Sequence, residues 1–149
     1  MANVKLVKSI YTGADVTALG EVASADTIDQ DLDITGTVTA NRGVGATNTN
    51  ATVTGSVTPD MDTYQNFVWT LTGNVTLGNP TDEAVGQSGF FVFIQDGTGS
   101  RTVSLGTDYE TAGGAGLTLS STASATDVVP YIVAASGRII LGAPQLAFA

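Results

Sequence analysis

Residues 28–40 alternate without a break: Ile28, Gln30, Leu32, Ile34, Gly36, Val38 and Ala40 hold one parity, and Asp29, Asp31, Asp33, Thr35, Thr37 and Thr39 the other. A period of two over this length specifies an extended strand, because successive side chains of a strand leave opposite faces, and it excludes a helix. One face is apolar apart from Gln30 and Gly36, and the other is wholly polar. At roughly 3.3 Å per residue such a strand could reach on the order of 40 Å, with a bend or bulge at Gly36. With so little other core around it, it needs a sheet to join, in another copy or in another protein, by strand addition.

No part of the chain shows a sustained helical period. Residues 52–57, 67–72, 89–95, 101–105, 117–120, 128–134 and 138–141 read as short strands punctuated by Gly, Asn and Asp. The runs 90–94 and 128–134 are apolar on both parities, which places them between layers or at a subunit interface, and Pro130 puts its strand at an edge or bulge. Residues 96–100 and 135–137 carry the Gly-containing chemistry of hairpin turns. Of the ten aromatic residues only Tyr11 lies in the first sixty, so the core is C-terminal. The predicted architecture is all-β: an antiparallel β-sandwich or jelly-roll-like domain over residues 52–149, a Gly/Asn/Thr linker at 41–51, and an extended N-terminal arm at 1–40. Phe67, Trp69, Phe90, Phe91, Phe93 and Tyr131 are the candidates for its core or for a subunit interface. A Thr-Gly-x-Val-Thr frame recurs at Thr35, Thr54 and Thr72, either as a stacked repeat or by chance in a Thr- and Gly-rich chain.

Composition removes most catalytic chemistry. The 149 residues include no Cys and no His, which excludes disulfide frameworks, thiolate and imidazole metal sites, thiol nucleophiles and the usual triads. Five Lys and Arg stand against fourteen Asp and Glu, a formal charge of -9, so neither nucleic acid nor an anionic membrane is an expected partner. Asp29, Asp31 and Asp33 resemble the opening of a calcium loop. However, Ile34 stands where Gly is needed and Ala40 where a bidentate Glu is needed, and a solvated strand face is the better reading. Asp60 and Asp62 shape a turn after Pro59. Asp108 and Glu110 flank Tyr109 as the one acid pair beside an aromatic, and with a single Trp in the chain a sugar platform is hard to build. The glycines at 97–99 and 113–116 lack the Gly-Lys-Ser/Thr ending of a phosphate loop. No catalytic residue, metal ligand or cofactor is expected. Residues 1–10 hold no apolar stretch long enough for a signal-peptide core, so folding in a cytoplasm is expected.

Three stretches, residues 69–80 (WTLTGNVTLGNP), 85–105 (VGQSGFFVFIQDGTGSRTVSL) and 137–141 (GRIIL), together resemble a module of tailed-bacteriophage structural proteins, over roughly residues 65 to 142. The resemblance implies a β-rich domain, usually trimeric, found in tail fibres and in head fibres or decoration proteins, with no catalytic motif. A compact chain with an extended arm suits a capsid decoration (cement) protein, made in the host cytoplasm and mounted on the virion, at the capsid exterior. It would be a homotrimer bound to the major capsid protein. On that expectation Lys5, Leu6, Val7, Lys8, Ile10 and Tyr11 dock the arm on an acidic shell surface, or the lysines merely solubilise an edge strand. The alternative is a tail-fibre, tail-tip or head-fibre adhesin contacting a host surface receptor through loops at 86–89 and 110–116. A depolymerising enzyme or a cellular adhesin is a third reading, disfavoured by the missing catalytic groups and secretion signal.

Overall fold

The structure, a computed structural model, describes residues 45–148. The strand expected at 28–40, the first copy of the repeat, and Lys5, Leu6, Val7, Lys8, Ile10 and Tyr11 lie outside the described residues. Runs of Thr, Val and aromatic residues between turn-forming Gly, Asn and Asp make eight strands: β1 (Thr47–Val57), β2 (Asn66–Leu77), β3 (Ser88–Gln95), β4 (Val103–Leu105), β5 (Tyr109–Glu110), β6 (Thr126–Ala135), β7 (Arg138–Leu141) and β8 (Gln145–Phe148). One 3-10 turn, Ala112–Gly114, is the only helical element among the described residues. All strands belong to one sheet in the order β1-β2-β3-β6-β7-β5, with β4 pairing β2 and β8 pairing β6.

The all-β expectation holds, but the sheet is mixed and not antiparallel. β1 with β2, β2 with β3, β2 with β4 and β5 with β7 are parallel, and only the ladders of β6 with β3, β7 and β8 are antiparallel. The cause lies in the connections. After β1, residues 58–65 carry the chain back to the starting end of β2 instead of reversing it. At up to about 3.5 Å each these eight residues span about 30 Å, short of the roughly 40 Å of a straight twelve-residue strand, so the β1–β2 ribbon must bend. Register shifts between Asn50 and Val53 and between Val53 and Gly55 supply that bend.

Several local expectations are corrected by the same geometry. Residues 96–100 form a corner and not a hairpin, since β3 and β4 pair successive stretches of the same edge of β2. Residues 47–51, expected in the linker, belong to β1, and 117–120 form no strand. The second and third repeat copies do lie side by side on β1 and β2. Gly55 faces Val75 and not Gly73, a two-residue offset that keeps the inward and outward phase. Pro130 sits in the interior strand β6. Its carbonyl accepts the Gly142 N–H at 2.8 Å, and a residue's N and O project to the same edge, so the missing donor faces the side of β7 and β8. There it falls in the gap between the two ladders. The 135–137 turn is a hairpin as expected, with Ala135 opposite Arg138 and Gly137 at φ 66°.

The sheet curls so that the inward side chains of all strands but β8 meet in one core. Phe91 is its centre. Its ring stacks on Phe67 (5.0 Å) and Phe93 (5.8 Å), meets the edges of Trp69 (6.0 Å) and Tyr109 (6.5 Å), and packs on Tyr131 (5.1 Å). The parallel register puts Phe67 beside Phe91 and Trp69 beside Phe93, so the aromatic rows of β2 and β3 interdigitate. The polar groups that enter this core are tied. Trp69 Nε1 donates to Asn48 Oδ1 (2.8 Å), and the Tyr131 hydroxyl donates to the Gln65 carbonyl (2.7 Å). Asp127, 1% exposed, accepts from the Ser120 N–H (2.6 Å), the Ser120 hydroxyl (2.7 Å) and the Ala147 N–H (2.8 Å). This carboxylate anchors β8, which has no buried residue of its own.

Phe91→Ala should cost about 3–5 kcal/mol, measured by urea unfolding, because the cavity lies where no single strand can collapse into it. Asp127→Asn turns an amide NH2 toward donors and should cost about 1–3 kcal/mol. Hydrogen exchange should then accelerate in residues 145–148 before it does in β2 or β3.

Candidate functional site

Between β4 and β5 the chain makes a tight turn laced by one amide side chain. Asn79 Oδ1 accepts the Asp108 N–H (3.2 Å) and its Nδ2 donates to Thr107 Oγ1 (2.7 Å). A Cβ at Gly106 would run into Asn79 Oδ1, so only glycine lets the turn close on this amide. Tyr109 then enters the core, and its hydroxyl donates to the Gly78 carbonyl (3.1 Å). Strand alternation turns Glu110 outward, where its carboxylate accepts from Arg138 Nε (2.9 Å) and Nη2 (3.0 Å) on neighbouring β7. Thr111 Oγ1 accepts the Gly116 N–H (2.9 Å) and closes a loop in which Gly113, Gly114 and Gly116 all take positive φ. Together these residues leave a shallow cleft of about 460 Å³ lined by Leu105, Gly106, Tyr109, Glu110, Thr111, Gly114 and Gly116.

Burial pushes the Tyr109 hydroxyl well above the usual phenol range, with the Asp108 and Glu83 carboxylates adding to it, so this group stays protonated. Hydrogen bonds from Arg138 hold the Glu110 carboxyl below its ordinary range, and the same contact raises Arg138. Glu83, in the loop before β3, accepts the Gly137 N–H (2.8 Å), which is the main reason its carboxyl is also lowered. Among the described residues no group of three His, Cys, Asp or Glu side chains comes together to hold a metal ion.

A second shallow cleft of about 350 Å³ lies along Ser100, Arg101, Thr102 and residues 117–121. Its wall is the corner after β3, which the buried Gln95 fixes: Arg101 N–H donates to Gln95 Oε1 (2.8 Å) and Gln95 Nε2 to the Arg101 carbonyl (2.9 Å). Asp96 caps the same corner. Its carboxyl is lowered to about 2, chiefly by hydrogen bonds from the Arg101 guanidinium (2.8 and 3.1 Å), and then by the Gly99 and Thr98 N–H groups.

Of the sequence-predicted core or interface residues, the structure places Phe67, Trp69, Phe91, Phe93 and Tyr131 inside the core, and Phe90 outside it on the exposed face of β3. Asp60 shapes its turn by accepting the Thr63 N–H (2.9 Å). The 86–89 loop is drawn inward by Gln87, whose Nε2 donates to the Met61 and Tyr64 carbonyls, whereas the 110–116 loop lines a cleft. Asn79, Gln95 and Arg138 were not singled out from the sequence. Gln95 was detectable, as a polar residue on the inward parity of Phe91 and Phe93.

Asp96 has a folded pKa below the ordinary aspartate value. Its stabilising contribution is therefore present above about pH 4, the usual aspartate range, and is lost as the pH falls through about 2. Arg101→Gln should move the Asp96 titration, followed by carboxyl-carbon NMR, back up toward the ordinary value while Glu110 keeps its own.

Residues 53–137, more than half of the chain, match the family model described as "Putative phage tail fibre C-terminal domain". No curated protein and no solved structure matches.

Proposed function

Because the chain belongs to the phage tail fibre C-terminal domain family, and so is a structural component of a tailed-phage virion, we propose that it is a tail-fibre module that contacts the host surface. The observation that carries this reading is the extent of the match, which runs from β1 to the turn before β7 and thus includes the strands and loops that build the larger cleft. The loop 110–116 is the proposed contact: it is exposed, it rests on the rigid Tyr109 and Asn79 anchors, and it offers hydroxyl, carboxylate and backbone groups to a polar ligand. The match names a tail fibre, so it favours the tail over the capsid exterior and the host receptor over the major capsid protein.

The proposed role is non-enzymatic. In support, four of the eight carboxylates among the described residues are engaged in structure: Asp96 with Arg101, Glu110 with Arg138, Glu83 with the 136–137 turn, and Asp127 with Ser120 and Ala147. The proposed partners are copies of the chain itself, as a homotrimer, and a host surface receptor. The charge of -9 speaks against nucleic acid and anionic membranes.

Two measurements test the reading. Quantitative mass spectrometry of purified particles should find a handful of copies per virion, whereas a number comparable with the major shell protein would return the chain to the capsid exterior. The purified protein should compete with the phage for adsorption to host cells, and Ala115→Arg, which places a long cation in the loop, should weaken competition at least tenfold. Equal competition by this variant would remove the 110–116 loop from the contact.

A further inference from the structure

The outer face of the sheet changes character from one strand to the next. Along β2 the outward side chains beyond Val68 are Thr70, Thr72, Asn74 and Thr76, as expected for a face in water. Across β3, β6 and β7, Ser88, Thr126, Ala134 and Arg138 stand at the ends of this face, and between them lie Phe90, Val92, Ile94, Val128, Pro130, Ile132 and Ile140. The registers make these contiguous: Phe90 lies opposite Pro130, Val92 opposite Val128, and Ile132 opposite Ile140, while Phe148 of β8 lies opposite Thr126 and extends the row. Phe90 is 48%, Ile132 45%, Ile140 37% and Phe148 50% exposed.

We propose that this outer face of β3, β6 and β7 is where copies of the chain meet, each turning it toward the symmetry axis of the homotrimer. This rests on the self-association proposed above and adds to it the surface. Two observations favour a second copy as the occupant. The first is area: a fully buried phenyl ring removes 150–250 Å², so the half-exposed rings and aliphatic side chains here offer roughly 400–500 Å² of apolar surface. A standard interface takes about 800 Å² from each partner, a little over half of it apolar, which the patch matches.

The second observation is charge. Between residues 45 and 148 two arginines stand against eight carboxylates, and both arginines are already paired. Two such acidic surfaces can approach without desolvating like charges only through a neutral face. This face carries no charge except at its rim, where Arg138 and Glu110 neutralise each other.

The test uses the full chain. Sedimentation should show an oligomer for the natural sequence and a monomer of unchanged far-UV circular dichroism for Phe90→Ser combined with Ile132→Lys. Should that variant fail to fold, the milder Ile132→Cys provides the readout, since the chain has no cysteine of its own. Its maleimide labelling should be at least tenfold slower than that of the turn variant Thr98→Cys, and dilution to the monomer should remove the protection. A natural chain that stays monomeric at tens of micromolar overturns both the self-association and the face. An oligomer in which Cys-substituted position 132 labels as fast as position 98 overturns the face alone. Protection that survives dilution overturns it too, and assigns the cover to residues 1–44 of the same chain.

Discussion

Everything in this domain depends on Phe91 being enclosed from four strands at once. Its neighbours come from β2 (Phe67, Trp69), β3 (Phe93), β5 (Tyr109) and β6 (Tyr131). A flat sheet could not bring β5 over β3, because three strands lie between β3 and the far end of the order at β5, counting that end itself. The curl is thus a condition for closing the aromatic core, and the bent β1–β2 ribbon with its short return is how the chain meets it. The approach is close elsewhere too: a Cβ at Gly89 would run into the Gln65 carbonyl, the same residue whose carbonyl receives the Tyr131 hydroxyl. Glycine at the start of β3 and tyrosine in β6 together set how near β2 comes.

The division between inside and outside was legible where one parity is polar, as along β2, where Phe67, Trp69 and Leu71 alternate with Thr70 and Thr72. It was not legible in 90–94 and 128–134, which are apolar on both parities, so Phe90 read like Phe91 and Phe93 although it lies outside. Strand direction was not legible. A Gly-rich turn such as 96–100 is compatible with a hairpin or with a corner, and only the choice of partner separates them: β3 hands its place beside β2 to β4, while β6 comes in from the other side. Pro130 illustrates the same limit. Its missing donor excludes one ladder position and not a whole strand, and the structure meets that by ending β7 and beginning β8 on either side of it.

Side-chain amides set the loops, and these are the hardest features to read from a single sequence. Asn79 and Gln87 tie segments far apart in the chain, and Gln95 ties both backbone groups of Arg101 across its own corner, replacing ladder hydrogen bonds where no strand continues. Nothing local distinguishes them from exposed polar residues, except Gln95 by its parity. Their effect on the candidate site is direct. Tyr109 and Asn79 hold the turn that leads into the 110–116 loop, so the exposed glycines there stand on a fixed base.

The two surfaces singled out by the structure answer different physical needs. A shallow cleft of about 460 Å³ buries little of any ligand, so under the proposed reading a single copy would bind weakly. An apolar sheet face, by contrast, gives non-directional burial in proportion to area and suits permanent association. Under the proposed reading the second compensates for the first. Copies held by their outer sheets present several loops at fixed spacing, and each further engagement with a repetitive host surface is then intramolecular, raising overall avidity by about 10²–10⁴ without any new contact. A stronger single cleft would need deeper walls, which a domain whose inward side chains are already committed around Phe91 has no material to build.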